Sequence, residues 1–478
     1  MSSAVGGPEP GATVRRRAPE SLAPPAQPRA RLDQALRTFA GTLLTLGLAL
    51  PTYWWASGGG ITDLGGWSTG LMSVGRITGL VASVLLLAQV VLMARVPALE
   101  QAYGQDHLAH IHRVVGFTSF NLMLTHVLLI TWAYSGGSLP GWPGMFWQLT
   151  WQDAGMLLAV AGTFALVGVT VTSIRIARAR LRYESWHLLH LYAYLGVGLA
   201  LPHQLWTGNE FMASPGRTLF WWSAWGVAAG AILVFRVGVP VFRNLRHGLR
   251  ITSVVHEGDG THSVYVTGRR LDLLRAEAGQ FFHWRFWRGE GRTRAHPYSL
   301  SAAPDGRSLR LSVKHLGDGS GRVPDLRPGT RVLVEGPYGR LSPRVRTRHK
   351  VLLIGAGVGI TPLRALAEGL EYRPGDATVI YRYRDEPLFA AEFDALADER
   401  GLQVLPLPGR RRNSRSWLPA LPSLDHVDDA AILQDWFPDL EAYDAYVCGP
   451  MAWFDQVQRS LLAAGLPPEQ LHHEAFEW

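Results

Sequence analysis

Four histidines set inside apolar stretches are the residues of this chain best suited to chemistry. His112 and His126 stand fourteen positions apart in HIHRVVGFTSFNLMLTH, and His190 and His203 thirteen apart in HLLHLYAYLGVGLALPH. At 3.6 residues per turn both steps are close to four whole turns, so each pair lies near one face of its helix, roughly 20 Å apart along the axis. That length is most of a hydrocarbon core of roughly 30 Å. Polar side chains at such depth are costly and usually functional. Two such helices side by side would hold two stacked flat ligands, each between a pair of imidazoles, and haem with both axial positions filled is the candidate. His107 falls outside the span and His110 lies on a different face from His112. His187, three positions before His190, is an alternative inner ligand. Arg76 is a further charge within the apolar region. It either snorkels to the headgroups, pairs with a haem propionate or attracts a polar acceptor.

The cytoplasmic half carries a second set of candidates. His296-Pro297-Tyr298-Ser299 puts an aromatic ring and a hydroxyl on adjacent residues of one strand, facing opposite sides. Lys314 and the loop containing Gly317, Gly319, Ser320 and Gly321 offer backbone N–H groups that suit a pyrophosphate. After the strand KVLLIG come Gly355, Gly357 and Gly359, which let the backbone approach a phosphate, with Thr361 as a helix cap and Pro362 in the first turn. This G-x-G-x-G-x-x-P spacing differs from the usual dinucleotide fingerprint. The next strand ends in Arg382 and Arg384, where an acid would favour NAD and arginine favours the extra phosphate of NADP. Arg410, Arg411 and Arg412 follow in a basic loop. The strand DAYVCGP delivers Cys448, Gly449 and Pro450 at its carboxyl end, and the chain closes on Phe476 and Trp478, suited to covering a flat ligand.

The elements that position these groups fall into two kinds. The chain has 478 residues and a formal charge of +8, with one cysteine. A lone cysteine excludes an intramolecular disulfide and a thiolate metal cluster. Residues 1–35, rich in Pro, Ala, Gly and Arg, read as a disordered cytoplasmic tail rather than a signal peptide. Six apolar spans follow, roughly 37–55, 71–94, 110–134, 153–174, 187–204 and 217–239. Arginines crowd the tail, the connection RIARARLR and the exit from the sixth span, while the opposite loops hold few positive charges. This asymmetry predicts cytoplasmic termini, with His112 and His190 near the inner face and His126 and His203 nearer the outer one. Many of the basic residues flank apolar runs, which points to a lipid bilayer and not to nucleic acid. From Leu249 the pattern changes to short strands and turns, as in a small antiparallel barrel. The last part alternates strands and helices around a parallel sheet.

The motifs HPYS, GAGVGITP, YVCGP and an aromatic C-terminus, in that order, resemble the ferredoxin–NADP reductase superfamily. Fused behind six helices with paired histidines, they resemble the ferric reductase and NADPH oxidase family of transmembrane flavocytochromes, over about residues 37–478. The resemblance implies four parts: the tail at 1–35, a haem-binding six-helix domain at 36–240, an FAD-binding β-barrel at 247–345, and an NADP-binding α/β domain at 349–478. It implies FAD on Tyr298 with Ser299 near the flavin, NADPH on the glycine loop, Cys448 near the nicotinamide, and Phe476 or Trp478 covering the flavin ring. Two b-type haems would lie on His112 with His190 and on His126 with His203. The implied protein is an integral plasma-membrane oxidoreductase passing electrons from cytoplasmic NADPH through FAD and haem to ferric iron, O2 or a quinone outside. The alternative is a membrane-anchored flavin reductase serving a protein or quinone acceptor without transmembrane haem. Two departures stand out: His296 replaces the arginine of many soluble relatives, and the second histidine pair is one residue closer than the first.

Overall fold

The computed structural model describes residues 27–475, apart from 182, 290, 291, 293, 318 and 421–425. The chain divides into two compact units, Pro28–Arg344 and a second that holds Val345–Trp478.

The first unit begins with the long helices. These are α1 (Gln27–Trp55), α2 (Trp67–Leu92), α3 (Gln105–Tyr134), α4 (Met156–Ser173), α5 (Tyr183–Trp206) and α6 (Pro215–His247). Four of them, α2, α3, α4 and α6, are long and apolar enough to cross a membrane. α1 and α5 are of similar length but carry interior prolines, Pro51 and Pro202, and α5 also holds His187, His190 and His203. The residues that make α5 chemically interesting are those that lower its hydropathy. Close approach between helices depends on small residues. A Cβ on Gly162 of α4 would lie 2.6 Å from the carbonyl oxygen of Gly196 on α5. α6 ends where Gly248 takes a left-handed φ of 54°, after a last turn carrying Arg246 and His247, the usual chemistry of a helix C-terminus.

α1 starts at Gln27, well inside the stretch read from sequence as a tail. Its polar first turns have a structural use. Asp33 is buried and pairs with Arg344 at 2.6 Å, and the Arg37 Nε donates to the Ala102 carbonyl at 2.8 Å.

Three residues after the end of α6, the chain enters two three-stranded antiparallel sheets, ordered β1-β2-β5 and β4-β3-β6. The strands are β1 (Arg250–Gly258), β2 (Thr261–Thr267), β3 (Phe281–Phe286), β4 (His296–Ser299), β5 (Ser308–Lys314) and β6 (Val332–Tyr338). Inward positions from both sheets, among them Val264, Phe282, Trp284, Leu300, Leu311 and Val334, form one core. Strand β6 is an edge, and an open edge needs a partner. Asn244 of α6 supplies it, donating from Nδ2 to the Val334 carbonyl and accepting the Val334 N–H on Oδ1, both at 2.8 Å.

The second unit is a five-stranded parallel sheet ordered β11-β10-β7-β8-β9. It comprises β7 (Lys350–Ala356), β8 (Ala377–Arg382), β9 (Gln403–Leu407), β10 (Tyr443–Gly449) and β11 (Leu471–Ala475). β8 and β10 are buried along their whole length, as expected of strands covered on both faces. The order reverses between β7 and β10, which makes the carboxyl ends of those two strands the switch point where ligands bind in such sheets.

Replacing Asn244 with alanine removes both bonds to Val334 and leaves a strand edge unpaired. A loss of about 1–3 kcal/mol is expected, read as a lower thermal midpoint of the purified protein; an unchanged midpoint contradicts the edge-capping role.

Candidate functional site

The four histidines meet in two layers. On α3 and α5, the rings of His112 and His190 face each other with centroids 6.0 Å apart and planes at 67°. His126 and His203 lie within electrostatic reach of each other in the second layer. His187 instead shares its surroundings with Arg236, Glu335, Arg95 and Arg285, so the ring facing His112 is that of His190. One ring of each layer is oriented through Nδ1. In His126 this atom lies 2.8 Å from the Gly75 carbonyl, and in His190 it lies 3.3 Å from the Ser173 hydroxyl. Metal-bound imidazoles are held in this way by the nitrogen away from the metal. The neighbouring helix is shaped for the ring: a Cβ on Gly79 would stand 2.5 Å from His126 Nδ1. The Nδ1 atoms of His112 and His203 are buried with no partner among the described residues.

These residues fit haem. Two metal–nitrogen bonds of about 2 Å each put opposed nitrogens about 4 Å apart and ring centroids somewhat further, in line with the observed 6.0 Å. Among the described residues no group of three or more His, Cys, Asp or Glu could hold a bare ion. A metal between two imidazoles therefore needs a ligand that brings its own donors, as a porphyrin does.

Arg76 has a protein partner that sequence reading did not assign. Its guanidinium pairs with Glu210, and Arg217 takes the other oxygen of the same carboxylate. The carboxylate comes from the short helix Asn209–Met212 before α6, and nothing in the spacing of the two residues announced their contact.

On the antiparallel domain, Ser299 Oγ is buried and has no partner among the described residues. A buried hydroxyl left open is a place for a ligand atom. Tyr298 beside it is also buried, which pushes its phenol up to about 12. His296 stacks on that ring, centroids 5.8 Å apart. The glycine loop packs over the same strand, since a Cβ on Gly319 would stand 2.5 Å from His296 Cε1. Ser320 Oγ accepts the N–H groups of Leu316 and Gly317 at 2.9 and 3.1 Å, which fixes the turn. Lys314 is not part of this cluster: its ammonium pairs across the hairpin with Asp259 at 2.5 Å.

In the parallel-sheet unit the three glycines do different work. Gly357, with φ of 55° and open space at its Cβ position, is the one suited to close approach of a ligand. A Cβ on Gly355 would strike Ile360 and Leu363, and one on Gly359 would strike the Cys448 carbonyl, so both positions are filled by protein. Thr361 is not the helix cap. It lies inside helix α7 (Ile360–Gly369), where its hydroxyl donates back to the Val358 carbonyl at 2.8 Å. Pro362 stands in the first turn of the same helix. Cys448 pairs in register with Gly355 across the switch point. It is fully buried, and burial, then the Glu474 carboxylate, pushes its thiol well above the ordinary range. Glu474, opposite Cys448 in register on β11, is the group that sequence reading missed; its signal was a carboxylate two residues before the aromatic terminus. Gly449 admits the Trp453 ring at 2.6 Å from its Cβ position, and Pro450 starts the helix Met451–Ala463. Phe476 and Trp478 lie outside the described residues.

Arg382 has protein partners. Its guanidinium donates to three backbone carbonyls, Trp417 at 3.0 Å, Leu407 at 3.3 Å and Gly409 at 2.6 Å, and so is spent on holding the basic loop. Burial, then the nearby charges of Arg411 and Arg384, lower its pKa. Arg412 is likewise occupied, by Asp429, whereas Arg384, Arg410 and Arg411 are exposed.

Residues 78–201, which contain all four histidines except His203, match the family described as ferric reductase like transmembrane component. The remainder of the chain has relatives of another kind. It is 29% identical over 237 residues to the ferredoxin reductase component of 3-ketosteroid-9-alpha-monooxygenase from Rhodococcus rhodochrous, covering 48% of this chain and 64% of the relative. It is 31% identical over 191 residues to a flavohemoprotein of Vibrio cholerae, covering 37% and 45%. The chain thus spans less than two thirds of the length of either. A crystal structure of the flavohem-like FAD/NAD binding domain of nitric oxide dioxygenase from Vibrio cholerae aligns at 24% identity with a TM-score of 0.37, over 48% of this chain and 99% of that one. These matches make the chain similar to a ferric reductase-like transmembrane component over residues 78–201 and, over at most 48% of its length, to ferredoxin reductase and flavohemoprotein relatives.

Because Arg382 satisfies three carbonyls, Arg382→Ala is expected to destabilise the nucleotide unit by about 3 kcal/mol, seen as an early unfolding transition with bound NADPH absent. A wild-type transition in that variant contradicts the structural role.

Proposed function

We propose that this protein carries electrons from cytoplasmic NADPH, through FAD and two b-type haems, to an acceptor on the outer side of the plasma membrane. The acceptor class is ferric iron, O2 or a quinone. The observation that carries the reading is the pair of imidazole layers on α3 and α5, in a bundle fused to a reductase module. In this reading six helices span the bilayer, both termini are cytoplasmic, the antiparallel sheets close as a barrel over about 247–345, and the nucleotide domain occupies about 349–478.

Bound haem and flavin supply the electron chemistry itself, and the protein supplies binding, orientation and electrostatics. His112 with His190 would hold the inner haem, and His126 with His203 the outer one. Held between imidazole pairs, haem would supply outer-sphere electron transfer and not a binding site for the acceptor. The Gly75 carbonyl and the Ser173 hydroxyl fix the tautomers of His126 and His190. Tyr298 offers its ring and Ser299 its open hydroxyl to the flavin. Gly357 admits the nucleotide pyrophosphate, while Arg384 and Arg411 meet the additional phosphate of NADPH. The Cys448 thiol, kept protonated by burial, serves beside the nicotinamide as a neutral packing group and not as a nucleophile.

Two experiments test the reading. Inverted membrane vesicles with ferricyanide trapped inside should reduce it when NADPH is added outside. His126→Ala should abolish that reduction while NADPH still reduces flavin; continued interior reduction in the variant overturns the route. Arg384→Ala should raise the KM for NADPH about tenfold with kcat and the NADH parameters unchanged, and equal effects on both nucleotides contradict the phosphate assignment.

A further inference from the structure

Just beyond α2 the backbone turns at Arg95, whose φ of 64° lies in the left-handed region. For a residue with a Cβ this conformation costs about 1–2 kcal/mol, so other contacts must hold it. The Arg95 side chain is only 13% exposed. Nη1 donates to Glu100 Oε1 at 2.8 Å, and Nη2 lies 3.3 Å from His283 Nε2. The guanidinium carbon stands 4.5 Å over the Tyr338 ring.

A guanidinium can only donate, so His283 Nε2 is the acceptor and the ring carries its proton on Nδ1. Burial, followed by the charge of Arg95, pushes the His283 pKa down to about 3. The ring is therefore neutral at pH 7 and able to accept. Glu100 belongs to the short helix Pro97–Tyr103, His283 to β3 and Tyr338 to the end of β6. One planar cation thus joins the end of a membrane helix to two strands of the antiparallel domain. Lysine offers no such fork and meets one of these partners at a time.

The two ends of this junction both lead to proposed cofactor sites. β3 pairs His283 with Pro297 of β4, the strand that carries Tyr298 and Ser299. The last turns of α2 pack against α3 one turn from His112, where Gln89 Nε2 donates to the Ser119 hydroxyl at 3.4 Å and a Cβ on Gly116 would stand 2.8 Å from Gln89 Oε1. We infer that Arg95 is a positioning residue that fixes the antiparallel domain against the cytoplasmic end of α2, and so sets the rate of electron passage from flavin to the inner histidine pair. The inference rests on the electron route proposed above.

The test uses the full-length protein in nanodiscs, as wild type, Arg95→Gln, Arg95→Lys and His283→Phe. In anaerobic stopped flow, Arg95→Gln should leave NADPH-driven flavin reduction unchanged and slow the following haem reduction about tenfold or more, as a small misplacement does. Arg95→Lys should recover part of the rate, and His283→Phe should fall between. Amide hydrogen exchange of peptides covering 281–286 and 332–338 provides a readout that needs no haem. Loss of a charge-assisted hydrogen bond should speed exchange there about tenfold in Arg95→Gln. Unchanged exchange in a folded Arg95→Gln protein overturns the inference, as does faster exchange with an unaltered haem-reduction rate. A wild-type protein without haem overturns the route, and the exchange result then decides the junction alone.

Discussion

His126 sits inside an apolar bundle, and its Nδ1 meets the carbonyl oxygen of Gly75 at 2.8 Å. Much of the surrounding structure follows from the need to make that contact. A helix carbonyl is normally spent within its own helix, and an imidazole reaches it only where the neighbouring backbone comes close. Gly75 and Gly79 of α2 permit this, since side chains there would strike Ile130 and the His126 ring itself. A polar ring with one nitrogen satisfied and the other free is unstable in hydrocarbon unless the free nitrogen has a use. In the function proposed above, ligation is that use. Gly155, whose Cβ would lie 2.7 Å from the His203 backbone nitrogen, brings the facing helix under the same constraint.

The membrane helices and the antiparallel domain belong to one compact unit, and the division of the chain falls later, at Val345. Within that unit the meeting surface is rich in charge. Asp33 meets Arg344, two arginines converge on the Ala102 carbonyl, and Asn244 seals the β6 edge. Buried ion pairs of this sort add little stability against an apolar alternative, but they tolerate few geometries. A protein that passes electrons between cofactors held on different elements gains more from fixed geometry than from extra stability. The parallel-sheet unit has its own core, built around Trp417, Ile432, Val447 and Val457.

Periodicity made the long helices legible. The turn chemistry of GAGVGITP and YVCGP located the ends of β7 and β10 before any coordinates. What escaped was the identity of partners. Lys314 reads as a phosphate ligand from its place before a glycine loop, and Arg382 from its place at the end of β8; Asp259 pairs with the first, and three carbonyls accept from the second. Such contacts depend on tertiary neighbours far along the chain, as does the pairing of Arg76 with Glu210. Thr361 failed as a cap because the turn of Gly357–Gly359 is itself helical, which moves the threonine past the first position. The first turns of α1 look like a tail by composition because their polar residues face a protein surface and not lipid. The inner layer was ambiguous between His187 and His190, three residues apart; only the packing of α5 on α3 distinguishes them.

In the proposed function the two imidazole layers hold two haems in a chain that also binds one flavin. The direct measurement is the ratio of haem to flavin in the purified full-length protein, by pyridine haemochrome and by flavin release, together with the reduced-minus-oxidised spectrum. The account predicts two b-type haems per flavin, with both absorbances bis-histidine in character. Flavin present with no haem, or a single haem per chain, would contradict it.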